Sequence, residues 1–295
     1  MTTIWILSKF DDTEYENSRL LESFANKGMT VKLLKPDDFD IVVTKDIKQG
    51  LRYQGQLVQL PNICLVRIGS GATNTMLALI RHLEKAGVVC LNNSTTIRHV
   101  KDKLNTAQIL SRHSIPIPTT MLVKFPVDIS IVEQEIGFPC VVKNVTGSHG
   151  VGVHLCETKK DFSKLMLFIE NLTSKKELII QEYLGEHPGE DLRVLVIGGK
   201  VVGAMKRIAP EGDFRANISN GGSGQSYELT EEIEYIARET AKVLALDIAG
   251  IDLLFDSRGF RVCEANSNPG FSGFEKFCDV DVADLITEYI KFKIS

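Results

Sequence analysis

A chain of 295 residues with a formal net charge of −4 has room for two or three packed subdomains, and it lacks the cationic excess with which proteins hold nucleic acid regardless of sequence. Its 43% hydrophobic and 24% charged residues are the balance of a globular protein, which excludes a disordered or fibrous chain. The cysteines Cys64, Cys90, Cys140, Cys156, Cys263 and Cys278 form no C-x-x-C pair and read as reduced packing residues. The first apolar run is too short for a signal sequence and no later run reaches membrane-spanning length, so no membrane or nucleic-acid partner is expected and the expected compartment is the cytoplasm.

Ile4 to Leu7 reads as a strand, and Tyr15 to Gly28 as a helix closed by its final glycine. Val31 to Leu34 and Cys64 to Ile68 are strand-like. Thr73 to Ala86 places Met76, Leu77, Ile80 and Leu83 on one helical face before Gly87, and Val88 to Leu91 is a further short strand. Strands alternating with helices predict a mostly parallel sheet, so residues 1–93 are expected to form one α/β domain. Ser94 is placed as the cap of a single helix running through Lys101 and Lys103 to about Arg112, ended by Ile115-Pro116-Ile117-Pro118. Strands then follow at Thr120 to Val123, Cys140 to Val145, Val153 to Cys156 and Leu178 to Tyr183, with a short helix after the first and another from Asp161. Residues 94–183 thus make an α+β lid carrying a glycine loop. In residues 184–295 hairpins take over, with Arg193 to Ile197 and Val201 to Met205 flanking Gly198-Gly199.

The segment GIDLLFDSRGFRVCEANSNPG holds two strand-like runs around Ser257-Arg258-Gly259, which reads as a three-residue turn with Gly259 left-handed. That register sets Asp252 opposite Glu264, two like charges whose repulsion a divalent cation would remove. Alternation adds Asn266 to the face of Glu264. Three oxygen donors suit a hard cation, magnesium with bound phosphates best; spacing alone leaves an exposed hairpin with its acids in water equally open. A second signal is the loop from Thr146 to Gly152. Gly147, Gly150 and Gly152 would let backbone N–H groups approach phosphates, and Lys143 stands at the end of the preceding strand to meet their oxygens. The order of residues fits neither a P-loop nor a dinucleotide fingerprint. Third, Arg207, Arg215 and Asn217 border another glycine-rich run. Guanidinium groups stabilise charge on a transferring phosphoryl group or an oxyanion; pairing with Glu211 and Asp213 at the surface is the plain alternative. The histidines form no H-x-x-x-H pair, and no G-x-S-x-G elbow occurs, so zinc hydrolysis and serine acyl transfer lack support. His149 reads as a loop residue.

Taken in order, VKDK at 100–103, PCVVKNVTGSHGVGVHL, QEYL at 181–184, GEDLRVLV, EGDFRANISNGG, AGIDLLFD and CEANSNPG resemble the ATP-grasp ligases of the RimK type over most of the chain. The resemblance implies an ATP-grasp fold with an N-terminal α/β preATP-grasp domain, a central lid and a C-terminal domain, ATP lying between the last two. It implies an ATP-dependent carboxylate–amine ligase. Such an enzyme adds an amino acid, L-glutamate being expected, to a peptide, protein or small-molecule carboxylate through an acyl phosphate. Position by position, Lys103 and Lys143 match lysines on the nucleotide phosphates. Glu182 and Tyr183 match the adenine-binding linker, with Gln181 beside them, and Asp191 matches a further nucleotide contact. Arg215 to Asn217 match a segment near the reacting phosphate, and Asp252, Glu264 and Asn266 match the magnesium ligands, with manganese allowed in magnesium's place. Arg215 is the expected stabiliser of phosphoryl or tetrahedral charge; Arg207, with Arg67, is the expected contact of the acceptor carboxylate. A homo-oligomer is expected. Two other readings share the ATP site: a regulatory nucleotide-binding protein resembling synapsin, and a ligase for a different acid of the D-alanine or glutathione type.

Overall fold

A computed structural model of the protein describes residues 3–69, 71–145, 152–172, 177–216, 218 and 221–294. The chain begins β1 (Thr3–Ser8), α1 (Tyr15–Asn26), β2 (Thr30–Leu34), β3 (Phe39–Ile41), β4 (Leu51–Tyr53), β5 (Gln56–Leu57), β6 (Ile63–Arg67), α2 (Asn74–Lys85) and β7 (Val89–Leu91). Strands β2-β1-β6-β7 form a wholly parallel sheet, as the alternation of strands and helices predicts. Ile4, Ile6 and Leu7 are fully buried because helices cover both faces of such a sheet. Met76, Leu77, Ile80 and Leu83 all face inward, and Thr73 caps α2 by accepting from the Met76 amide at 3.2 Å. The small sheet of β3, β4 and β5 lies in a stretch where no periodicity is legible.

The single helix expected after residue 93 is two: α3 (Ser94–Lys101) and α4 (Lys103–Arg112). Asn93, not Ser94, caps the first, and the second is started afresh by Asp102, whose Oδ1 accepts from the Asn105 amide at 3.0 Å. Lys103 consequently stands in the first turn of a new helix, its amide bonded to the Val145 carbonyl at 3.2 Å. The lid follows as β8 (Thr120–Val123), α5 (Ile129–Glu135), β9 (Cys140–Asn144), β10 (Val153–Cys156), α6 (Lys159–Leu172) and β11 (Leu178–Glu182). Its antiparallel sheet, in the order β10-β9-β11-β8, has its own core around Val132, Phe162 and Met166.

The remaining elements are β12 (Glu190–Ile197), β13 (Lys200–Ile208), β14 (Ser223–Tyr227), α7 (Glu231–Val243), β15 (Ile248–Asp256), β16 (Gly259–Asn266), α8 (Ser272–Phe277) and α9 (Val282–Ile294). They build an antiparallel sheet ordered β14-β13-β12-β15-β16. Gly198 and Gly199, both at positive φ, make the two-residue turn between β12 and β13. Helix α7 covers one face of this sheet. On the other, Leu195, Ile197, Ile286 and Ile290 share one core with Ile4, Ile6, Leu20 and Phe24 from the N-terminal unit. Buried Asn92 fastens the same junction, donating to the Ile248 and Ser267 carbonyls at 2.7 Å each and accepting from the Asp247 and Ile248 amides. No described helix is long and apolar enough to cross a membrane.

Candidate active site

A cleft of about 780 Å³ lies where the lid sheet, the C-terminal sheet and the N-terminal unit meet. Lys103, Lys143, Gln181, Glu182, Tyr183, Asp191, Arg207, Arg215, Asp252, Glu264 and Asn266 all line it. Residues as far apart in sequence as Lys103 and Asn266 therefore share one cavity.

Its floor is a charged row running across the sheet. Asp191 pairs with Arg207 across β12 and β13, Arg193 with Asp252 across β12 and β15, and Asp252 with Glu264 across β15 and β16. The last pairing agrees with the expected register, but the route to it differs. The turn holds two residues, with Asp256 opposite Gly259, and the register shifts by one between Asp252 and Leu253 because Cys263 is an extra residue in β16. This bulge restores the alignment that a three-residue turn would have set.

Arg193 forks onto Asp252, its Nε and Nη2 donating at 2.8 and 2.7 Å. Arg207 forks onto Asp191 at 2.6 Å through both nitrogens, and its Nη2 reaches Asp252 at 3.1 Å. Burial pushes Asp252 up, but Arg193 and Arg207 outweigh it and hold the carboxyl below its ordinary range. Burial likewise works against the Arg207 charge, and Asp252 and Asp191 overcome it and raise the guanidinium. The like-charge conflict between Asp252 and Glu264 is thus met by the chain's own cations, with Lys103 Nζ 3.5 Å from Glu264 Oε1. The repulsion that a divalent cation was expected to remove is therefore already eased by side chains of the protein. Asn266 stands beside the pair, Nδ2 donating to Asp252 Oδ2 at 3.3 Å. Among the described residues no three His, Cys, Asp or Glu side chains are grouped for a metal; two carboxylates and a carboxamide still make an oxygen-donor set that fits a hard cation such as magnesium.

The lid supplies the roof. Lys143 Nζ donates to Gln181 Oε1 at 2.5 Å and lies 3.6 Å from Cys263 Sγ, which brings it over the bulge of β16. Glu182 directs its side chain to the domain junction, accepting from Arg261 and, at 2.8 Å, from the Thr119 hydroxyl. Gly152 has φ +73°, and a Cβ there would meet Asn144 Nδ2 at 2.5 Å, so its glycine is required by backbone and space beside Asn144 and Val153, which line the cleft. Gly147, Gly150, His149 and Asn217 lie outside the described residues.

One arginine expectation changes. Arg207 is 4% exposed and committed to two carboxylates of the chain, so it is not available to an acceptor carboxylate. Arg215 stands at the rim and forks onto Asp213 at 2.8 and 2.9 Å, the pairing the plain alternative foresaw for it. Arg193 was not singled out as a site residue. Its signal is the two-residue offset from Asp191, which puts both on the cleft face of β12.

The profile of the RimK-like ATP-grasp domain matches residues 100–290, and that of the RimK preATP-grasp domain residues 2–97. The chain belongs to the RimK-like ATP-grasp family. It is 37% identical over 279 residues to a probable alpha-L-glutamate ligase of Methanococcoides burtonii, covering 94% of this chain and 91% of that one. With a protein of the same description from Vibrio atlanticus it shares 36% over 289 residues, 98% and 95% of the two chains. The ATP-grasp ligase PsnB, solved with a phosphomimetic precursor, Mg and ADP, superposes with a TM-score of 0.77 at 20% identity, covering 100% and 99% of the two chains. The fold is ATP-grasp with a preATP-grasp unit at its N-terminus, and the RimK-like chain is an ATP-dependent carboxylate–amine ligase. The regulatory and other-acid readings are not favoured.

Proposed function

We propose that this RimK-like ligase joins the amine of L-glutamate to a carboxylate acceptor, with Lys103 and Lys143 on the ATP phosphates and Asp252, Glu264 and Asn266 holding magnesium, for which manganese substitutes. The observation that carries this reading is the convergence of both lysines with the oxygen-donor set in one cleft. The names of the relatives support glutamate as the amino acid.

A carboxylate resists amines because its leaving group would be an oxide. Transfer of the γ-phosphoryl group of ATP to a carboxylate oxygen gives an acyl phosphate. The amine then forms the C–N bond as the C–O bond to phosphate breaks, and orthophosphate departs. A divalent cation held by Asp252, Glu264 and Asn266 would neutralise phosphate charge. Lys143 and Lys103 bring ammonium groups from the lid and from α4 to the phosphate oxygens. Arg215, at the rim, meets the charge on the reacting group. Arg193 and Arg207 act as positioning residues that aim Asp252, and Gln181 and Tyr183 line the end where the base would lie. The lid roof excludes water that would hydrolyse the acyl phosphate.

The deciding experiment measures ADP release with ATP and magnesium across a panel of amino acids, alone and with candidate acceptors, followed by mass spectrometry of the products. Glutamate-dependent ADP formation with the matching mass increment is the expected result. Turnover with another amino acid and none with glutamate would overturn the substrate assignment.

A further inference from the structure

One wall of the cleft takes no part in the chemistry above. It is built from the end of β1, the turn between β1 and α1 and the end of β6, and its polar groups include Glu14, Glu16, Asn17 and Arg67 beside Ser8 and Lys9, whose Nζ donates to the Gly71 carbonyl at 2.8 Å. Glu14 Oε2 accepts from the Asn17 amide at 2.9 Å and so caps α1. Glu16, 9% exposed, accepts through Oε1 from the Phe271 and Ser272 amides at 3.2 and 3.3 Å. Each of these structural tasks uses one carboxylate oxygen, and the two side chains also hydrogen-bond each other. Asn17 is 1% exposed; its Nδ2 donates to Ser8 Oγ and to the Phe10 and Asp11 carbonyls, while its Oδ1 accepts no hydrogen bond among the described residues. A buried acceptor left without a donor costs on the order of 1–3 kcal/mol and points to a donor that arrives with a ligand.

Arg67 completes the wall. Its Nη1 donates to the Pro269 carbonyl at 3.1 Å and its guanidinium lies 5.4 Å from the centroid of the Phe271 ring. Among the described residues no carboxylate lies within ion-pair distance of it. Pro269 follows Asn266 by three residues, so this wall abuts the oxygen-donor set. Burial and the contact with Glu16 raise the Glu14 carboxyl to about 7, as expected of two carboxylates held side by side.

We propose that Glu14, Glu16 and the Asn17 carboxamide oxygen receive the ammonium group of the incoming amino acid while Arg67 receives a carboxylate of the same molecule. The wall is thus a subsite for an α-amino-acid zwitterion, three acceptors set against the forked donors of Arg67. The inference rests on the ligase reading above. The backbone amides explain why each side chain keeps one oxygen turned inward, but not why two carboxylates stand together on the cleft wall beside Arg67.

The test compares L-glutamate with glutarate, which keeps both carboxylates and lacks the ammonium group, by calorimetry in the presence of ADP and magnesium. The full chain should bind glutamate well and glutarate poorly. Glu14→Gln and Glu16→Gln keep the oxygens that accept from the backbone, so both should fold, as checked by circular dichroism. Each should weaken glutamate about 10- to 100-fold and leave glutarate unchanged. Arg67→Lys should weaken both ligands. Glutamate binding unaltered in both glutamine variants, with ADP formation intact, would overturn the subsite and leave the ligase reading standing. Should the turnover panel select a different amino acid, that compound and its deamino analogue replace the pair. Loss of discrimination in the glutamine variants would then uphold the subsite although glutamate had failed.

Discussion

Asp252 meets two guanidinium groups, and among the described residues Glu264, facing it across the hairpin, pairs only with Lys103, at a longer distance. Glu264 is therefore the acid whose charge is least committed to the fold. Replacing it with glutamine should abolish magnesium-dependent ADP formation while the unfolding midpoint stays where it is; unchanged turnover would remove Glu264 from the metal site. Glu14 gives a prediction of opposite character. Its folded-state pKa of about 7 lies above the ordinary carboxyl value of 4.5, so its contribution to stability is present below the unfolded pKa and is lost as pH rises through 7. Glu14→Gln removes that loss. The thermal midpoint of the variant minus that of the parent should grow between pH 5 and pH 8, and a difference that does not change with pH would show that Glu14 titrates normally. The proposed oxygen-donor set was legible as a juxtaposition of Asp252, Glu264 and Asn266 because alternation along a strand is local. The partners that occupy Asp252 were not, since Arg193 and Arg207 reach it from strands 59 and 45 residues away.

At the level of elements, caps and turns decided what periodicity left open. Asp102 breaks what reads as one helix because its side chain can take the orphan amide of Asn105, and the break turns Lys103 toward the cleft. Cys263 is the corresponding detail in the β15–β16 hairpin: a bulge cannot be told from a longer turn by sequence, because both give Asp252 the same partner. Asn92 shows how two elements are joined. Four hydrogen bonds tie the end of β7 to the start of β15 and to Ser267. Asn92→Ala leaves those backbone groups unpaired and should destabilise the protein by about 3 kcal/mol, measured by denaturant titration. A cost under about 1 kcal/mol would mean that water replaces the side chain there.

Across the whole molecule the distribution of cores separates the lid from everything else. The N-terminal unit shares a core with the C-terminal sheet through α1, α8 and α9, while the lid keeps its own around Phe162. Hydrogen exchange should accordingly show β8 to β11 opening at lower free energy than β1, β12 and β15, with ATP and magnesium raising protection of the lid first. Equal protection throughout would show that the lid is not an independent unit.

By itself the sequence determined the succession of elements, the parallel N-terminal sheet, the hairpins and the oxygen donors near residue 264, because each depends on spacings of two to four residues and on the turn chemistry of Gly and Asn. Tertiary structure alone decided that Arg207 is sequestered by two carboxylates, that Glu182 braces a junction through Arg261, and that Glu14, Glu16 and Arg67 meet in one wall. Those relations depend on which strands lie side by side and on which charges burial forces to find partners, and neither is written in any local stretch of the chain.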